Sequence, residues 1–191
     1  FNQSIDPATF TAEDVSVSLI TPIAIGSYGM PGYAYDIEIV GTLAYVAAGP
    51  SGLRIIDVSN PTSSVEIGCY DTPGSASEIK VVGTVAYVVD SGYGLRIVDV
   101  SDPTAPVEIG CFAVGHGVRV EVVGTLVYMA DSTNDLLRVI DVSNPATPVV
   151  IGAVDLMPDS AEYSFYYWMA PEYNFSVDVV GTVAYVADTY G

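Results

Sequence analysis

Basic side chains are scarce in this sequence. Five Lys and Arg stand against 23 Asp and Glu, and lysine occurs once, at Lys80. With a net charge of −18 there is no basic stripe to neutralise phosphates, so no nucleic-acid partner is expected. Docking on anionic lipid is disfavoured for the same reason. Histidine occurs once, at His116. A single imidazole cannot build a His-based zinc site, and no Ser or Cys motif accompanies it. No apolar run reaches membrane-spanning length, so no membrane insertion is expected. An initiator Met and a signal-peptide pattern are both missing. Phe1 opens mid-sequence, so the chain reads as cut from a longer protein and its targeting stays open.

What is present is apolar. Half of the 191 residues are hydrophobic, enough to bury a core, so the acidic charge does not signal disorder. The charge favours solubility and leaves a cation or a basic partner open.

The dominant feature is an internal repeat. "VGTLAYVA" at Val40–Ala47 returns as "VGTVAYVV" (Val82–Val89), "VGTLVYMA" (Val123–Ala130) and "VGTVAYVA" (Val180–Ala187). The marker glycines Gly41, Gly83, Gly124 and Gly181 are spaced by 42, 41 and 57. A second marker reads "LRIIDVSNP" (Leu53–Pro61), "LRIVDVSDP" (Leu95–Pro103) and "LRVIDVSNP" (Leu137–Pro145). A third is Ile-Gly, at Ile25-Gly26, Ile67-Gly68, Ile109-Gly110 and Ile151-Gly152.

Each period reads as four short strands. In the first, strands are expected at 34–40, 43–48, 53–58 and 65–70. Gly41-Thr42 suits a two-residue hairpin, because glycine accepts positive φ. Asn60-Pro61 and its equivalents stop the third strand, since an Asx residue starts a turn and proline cannot donate to a ladder. Four antiparallel strands in about 42 residues is the size of one propeller blade. The expected fold is therefore an all-β propeller of four-stranded antiparallel blades. A β-sandwich would not repeat its sequence so closely, and a β-solenoid usually has shorter rungs.

These motifs, with "GTVAYVAD", resemble the LVIVD repeat of bacterial and archaeal surface or secreted proteins. The resemblance runs from about Ser18 to Gly191. It implies a propeller in an extracellular or cell-surface setting and implies no enzymatic activity. Blades are expected at 34–74, 75–116 and 117–155, with a partial one at 174–191. A partial ring is expected. The alternative is a closed four-bladed ring in which the ends of the chain share a blade. Residues 22–32 match a fourth strand. Residues 1–18 resemble the end of a bacterial Ig-like domain or a degenerate strand.

Among residues that could carry chemistry, Arg54, Arg96 and Arg138 recur in phase with Asp57, Asp99 and Asp141. Catalysis needs one special site, whereas these are copied in each period, so recurring structural ion pairs are expected. The expected first strands carry Asp36, Glu38, Glu78, Lys80, Arg119, Glu121 and Asp178. Their oxygens would suit Ca²⁺, but no loop has its ligand spacing. Cross-strand charge pairing accounts for them better, and no cofactor or metal is expected. Cys69 and Cys111 share one phase on neighbouring blades, which places them too far apart for a disulfide. They are expected to be unbridged, small apolar fillers.

The spacing of 57 marks an insertion at 156–173, "LMPDSAEYSFYYWMAPEY". It and the next residues hold Tyr163, Phe165, Tyr166, Tyr167, Trp168, Tyr173 and Phe175. Tyr and Trp offer flat apolar faces with polar tips, which suits a protein or a carbohydrate ligand. With accessible His116, these are the candidate ligand-binding residues. The alternative role for the insertion is to plug the channel or cap a blade. The expected function is a non-enzymatic binding or adhesion module at the cell surface. The alternative is a structural spacer within a large surface protein, and a hydrolase or lyase is least supported.

Overall fold

The structure is a computed structural model that describes residues 23–113, 117–132, 134–156 and 176–187. Every regular element among them is a strand. The first sheet is β1 (Asp36–Val40), β2 (Leu43–Ala47), β3 (Leu53–Asp57) and β4 (Val65–Tyr70). The second is β5 (Ser75–Val82), β6 (Val85–Ser91), β7 (Gly94–Asp99) and β8 (Val107–Phe112). The third is β9 (Gly117–Val123), β10 (Leu126–Asp131), β11 (Leu136–Asp141) and β12 (Val149–Asp155). A two-stranded sheet follows, β13 (Ser176–Val180) and β14 (Val183–Ala187). Each sheet is an antiparallel meander in sequence order. The first strands β1, β5, β9 and β13 lie side by side from sheet to sheet. That is the wedge-like stacking of propeller blades. The described strands form no closed ring.

The markers that define the repeat are its joints. Val40 pairs with Leu43, so Gly41-Thr42 is a two-residue turn. Its glycine and the equivalent Gly83, Gly124 and Gly181 have φ of 61 to 64°, the left-handed region that glycine enters without steric cost. The Thr42 carbonyl then accepts the amide of Val58 at 2.9 Å. Thr84 does the same for Val100 and Thr125 for Val142, at 2.8 and 2.9 Å. The Gly-Thr turn is thus tied to the middle of "DVSNP" within each blade.

Two Asx turns in tandem explain the remainder of that motif. Asp57 Oδ1 accepts the Ser59 amide at 2.8 Å, and Asn60 Oδ1 accepts the Thr62 amide at 3.2 Å. Asp99 with Ser101 and Asp102 with Thr104 repeat the pattern, as does Asp141 with Ser143. Short side chains that bond the backbone two residues on stop a strand and turn it.

The Ile-Gly marker is a β-bulge joined to a contact between blades. Ile55 pairs with Gly68 and Ile56 with Glu66, so Ile67 is the extra residue. Ile109 and Ile151 are extra in the same way. The bulge brings the glycine against the next sheet. A Cβ on Gly68 would lie 2.0 Å from the Pro103 carbonyl oxygen, and one on Gly110 would lie 1.8 Å from that of Pro145. Gly26 meets Pro61 likewise, at 1.6 Å. No side chain fits there. Residues 23–30 therefore occupy the place of a fourth strand ahead of the first sheet, as the sequence match predicts, although no ladder pairing is assigned to them.

Side chains alternate between the face toward the preceding sheet, here the leading face, and the face toward the next, the trailing face. Tyr45, Ala47, Leu53 and Ile55 of the first sheet pack on Ile79, Val81, Val88 and Val98 of the second. Tyr87, Val89, Leu95 and Ile97 pack in turn on Val120, Val127, Met129 and Ile140. The middle sheet is buried on both faces, which explains its near-continuous apolar strands. Each fully buried Val, Leu or Ile contributes about 1.5–3 kcal/mol, against about 0–1 for an exposed ion pair. Apolar stacking therefore holds the sheets together, and polar contacts set their register.

A methyl group at the bulge should separate joined blades from unjoined faces. Gly68→Ala or Gly110→Ala is expected to lower stability by about 1–3 kcal/mol through overpacking. Gly152→Ala should cost much less, because among the described residues its Cβ would meet only Val139 side-chain atoms, at 3.9 Å. Urea unfolding of the three variants checks the contrast.

Candidate functional site

The chain's five Lys and Arg all lie in the described residues, and each forms an ion pair. The arginines of the third strands make recurring pairs, but Asp57, Asp99 and Asp141 are not their partners, which corrects the pairing expected from sequence. Arg54 and Asp57 are three residues apart on one strand and so point to opposite faces. Arg54 instead reaches Glu66 at 3.3 Å and Asp71 at 3.0 Å. Arg96 reaches Asp90 at 3.4 Å and Glu108 at 3.6 Å, and Arg138 reaches Asp131 at 2.9 Å.

A tyrosine from the preceding blade joins two of these clusters. Tyr28 Oη donates to Glu66 Oε2 at 3.2 Å, and Tyr70 Oη donates to Glu108 Oε2. Burial and the neighbouring glutamate push the Tyr70 phenol well above the usual range. At the third boundary the same phases hold Phe112 and Val150, and both pack into the apolar cluster there. A hydrogen-bonded pair has been exchanged as a unit for an apolar pair. Asp90 and Asp131 are almost wholly buried. Burial raises the Asp90 carboxyl, opposed by the Gly74 amide at 3.1 Å and by Arg96.

The charged residues of the first strands cap the neighbouring sheet edge. Asp36 Oδ2 accepts the Ile79 amide at 3.0 Å, Glu38 Oε2 the Val81 amide at 2.8 Å, and Glu78 Oε1 the Val120 amide at 3.2 Å. Arg119 pairs with Glu78 at 2.9 Å and Lys80 with Glu121 at 3.6 Å. Burial raises the Glu78 carboxyl, and the Val120 amide and Arg119 oppose that rise. These carboxylates satisfy strand-edge amides that would otherwise invite another strand. Among the described residues no group of three His, Cys, Asp or Glu is arranged to hold a metal ion.

The end of the sheets that carries the β2–β3, β4–β5 and β6–β7 loops has a different surface. Tyr33, Tyr35 and Tyr93 are exposed there, and Asp71 is 77% exposed. Tyr35 lies against Gly49, which pairs with Ala76 of the next sheet. Tyr93 lies against Gly74 and under the Arg96 guanidinium, 5.8 Å from the ring centroid. The Leu156 amide bonds the Asp135 carbonyl at 2.8 Å, so the insertion leaves the third sheet at this end. Tyr163, Phe165, Tyr166, Tyr167, Trp168, Tyr173, Phe175 and His116 lie outside the described residues, as do residues 1–18.

Cys69 and Cys111 are unbridged and exposed. The expected role as small apolar fillers is corrected: each is exposed in the outermost strand, beside its bulge glycine. Sequence reasoning passed over Tyr28, Tyr70, Glu66, Glu108, Asp90 and Asp131. Each pair recurs at the repeat spacing, which was the available signal.

Stacked four-stranded blades of about 42 residues define a repeat protein of propeller type. The LVIVD repeat model matches residues 31–72, 73–114 and 114–156, and the chain belongs to the LVIVD-repeat family. No curated protein matches it. Among solved structures, the computationally designed Ika8 protein is similar in fold, with a TM-score of 0.53 at 6% identity. The match covers 64% of this chain and spans 36% of that one.

The Tyr–Glu pair should behave as a unit. Tyr70→Phe is expected to cost about 1–2 kcal/mol, and Glu108→Val more, because it leaves a tyrosine hydroxyl and Arg96 short of a partner. The double variant reproduces the Phe112 and Val150 pair and should recover at least about 1 kcal/mol of the summed loss in a double-mutant cycle.

Acid sensitivity follows from the turns. The Ser59 hydroxyl and amide lower Asp57, the Thr104 hydroxyl and amide lower Asp102, and the Ser101 and Ser143 amides and hydroxyls lower Asp99 and Asp141. A carboxyl lowered in the folded state stabilises it above the unfolded value and stops doing so as pH falls through the folded value. Unfolding midpoints should therefore decline as pH drops below the ordinary aspartate value of 3.8. Asp57→Asn, Asp99→Asn and Asp141→Asn together keep an Asx acceptor and should flatten that decline in a thermal-melt pH series.

Proposed function

We propose that the chain is a non-enzymatic, extracytoplasmic binding or adhesion module that meets a protein or carbohydrate ligand with the loop end of its blades. The observation that carries this reading is the exposure of Tyr33, Tyr35 and Tyr93 at that end, beside Asp71. Exposed tyrosine rings supply contact area at low entropic cost, and their hydroxyls with a carboxylate supply hydrogen bonds to sugar hydroxyls or basic side chains. The aromatic insertion leaves the third sheet at the same end and would extend the surface, with Trp168 as its largest ring. The charged groups inside the stack are committed to ion pairs and hydrogen bonds within and between blades, which supports a binding role over catalysis. Since all five basic residues are paired with acids, nucleic acid is a poor candidate ligand.

A spacer role is the second reading, favoured by the use of every basic residue in an ion pair within a blade or between neighbouring blades. Retention of the purified chain on insoluble cellulose, chitin and mannan, and on an immobilised lysine-rich peptide, separates the two. Binding to at least one probe is expected. The Tyr33→Ala, Tyr35→Ala, Tyr93→Ala variant should lose about tenfold or more in affinity with an unchanged thermal melt. No retention on any probe, or equal retention of the variant, replaces the binding reading with the spacer.

A further inference from the structure

The loop end of the joint between the first and second sheets departs from the repeat. Tyr35 precedes Asp36, the partner of Ala47, whereas Ser77 precedes Glu78, the partner of Val89. Gly49 stands two residues after Ala47, where the second sheet has Ser91. Asp71 follows Tyr70, the partner of Leu53, whereas Ala113 follows Phe112, the partner of Leu95. Tyr93 stands where the first sheet has Ser51 and the third has Asp135. The second and third sheets stack without Tyr35, Gly49, Asp71 or Tyr93 at the equivalent places, so stacking does not require them.

At this joint the four residues belong to one surface. One edge of the Tyr35 ring rests on Gly49, where a Cβ would stand 2.8 Å from Cε2. One edge of the Tyr93 ring rests on Gly74, where a Cβ would stand 2.6 Å from Cδ2. Between these seats the backbone is bare. The Gly49 carbonyl accepts the Gly52 amide at 2.9 Å, and a Cβ on Gly52 would lie 2.3 Å from the Tyr70 carbonyl oxygen. Asp71, which follows Tyr70, therefore stands between the two rings. Arg54 holds its Oδ1 at 3.0 Å, and its side chain is 77% exposed. Both rings are seated yet open, Tyr35 at 59% and Tyr93 at 49% exposure. The Arg96 guanidinium lies over one face of Tyr93, so a ligand meets the opposite face. Gly49 pairs with Ala76 of the second sheet, so both seats lie at a joint with a described sheet on either side.

We propose that this surface is a subsite for a neutral, extended oligosaccharide of β-linked pyranoses with equatorial hydroxyls. The proposal rests on the binding reading of the loop end and names its ligand. Such a sugar carries C–H groups on its flat faces and hydroxyls around its rim. The faces stack on Tyr35 and Tyr93, and Asp71 accepts hydrogen bonds from the rim. Because the glycines seat both rings before a ligand arrives, stacking costs little ordering entropy. The Tyr35 seat lies opposite Ala76, about 7 Å along the chain from Gly74, so more than one sugar ring is needed to engage both tyrosines. Charge selects within the class, since Asp71 and the net charge of −18 repel uronates and other acidic sugars. A lysine-rich peptide is the competing occupant. It would be drawn to acids anywhere on this chain and needs no seated rings, so the seats favour the sugar.

Isothermal titration calorimetry of the full chain with cellohexaose and with chitohexaose, across the micromolar to millimolar range, tests the proposal. Saturable binding of at least one hexasaccharide is expected. The matching disaccharide should bind about tenfold or more weakly, and an oligogalacturonate should not bind. Tyr35→Ala and Tyr93→Ala should each lose about tenfold or more in affinity. Tyr35→Phe and Tyr93→Phe keep the rings and should stay within about threefold of the wild type. Tyr185→Ala, at an exposed tyrosine away from this joint, should leave binding unchanged. Thermal melts check that each variant folds, and Tyr35→Ala decides should loss of the Arg96 contact make Tyr93→Ala melt early. No binding of either hexasaccharide overturns the proposal, as does binding that both alanine variants retain in full. Binding of hexalysine alone, weakened in the same variants, overturns the sugar assignment and leaves the binding reading standing. If neither the sugars nor hexalysine bind, the binding reading falls with it.

Discussion

Stacking in this protein depends on a backbone-to-backbone approach that only glycine permits. Between the first and second sheets and between the second and third, a bulged fourth strand sets its glycine against the carbonyl of the Asp-Pro or Asn-Pro turn next door, closer than any Cβ could stand. The bulge, the tandem Asx turns and the Gly-Thr hairpin serve that approach. The hairpin carbonyl holds the valine of "DVS", which fixes where the turn lies. The turn fixes the proline carbonyl, and the bulge delivers the glycine to it. Three sequence markers about 10 to 15 residues apart are thus parts of one joint. With that joint set, the apolar faces meet in register and supply most of the free energy.

The charge distribution follows from the same architecture. Stacked blades leave polar strand edges near the axis and long side chains near the rim, and both need partners. The few basic residues are spent there. Arg119 and Lys80 pair along the inner strands, and Arg54, Arg96 and Arg138 pair further out. Acids also take backbone amides directly, as Asp36, Glu38 and Glu78 do, which needs no base at all. A chain can therefore carry a net charge of −18 and still satisfy its interior. The surplus acid stays on the surface, where water screens it.

The boundary that uses Phe112 and Val150 shows that the polar joint is optional. Tyr–Glu–Arg clusters and an apolar pair fill the same space, so the polar version adds register rather than cohesion. Its arginine-linked acids also move. Arg54 uses Asp71 where Ala48 stands in the register position of Asp90, and Arg96 uses Asp90. The requirement is one acid near each arginine, and several positions meet it.

Much of the fold was legible because it is repeated. Periodicity and turn chemistry gave four-stranded blades, and the strands fall within two residues of their expected bounds because Gly-Thr and Asn-Pro are local signals. The ion pairs were legible only in part. In-phase Arg54 and Asp57 are obvious in the sequence, but strand alternation sends them to opposite faces, and only packing chose Glu66 and Asp71. The cysteines illustrate the same limit: phase alone kept them apart, while their exposure came from the position of an outer strand beside a bulge. By itself the sequence determined everything set by neighbours along the chain, namely hairpins, strand ends, repeat length and which residues share a face. The tertiary structure alone decided which glycine meets which carbonyl and which acid meets which base, because those depend on the distance between residues some forty positions apart.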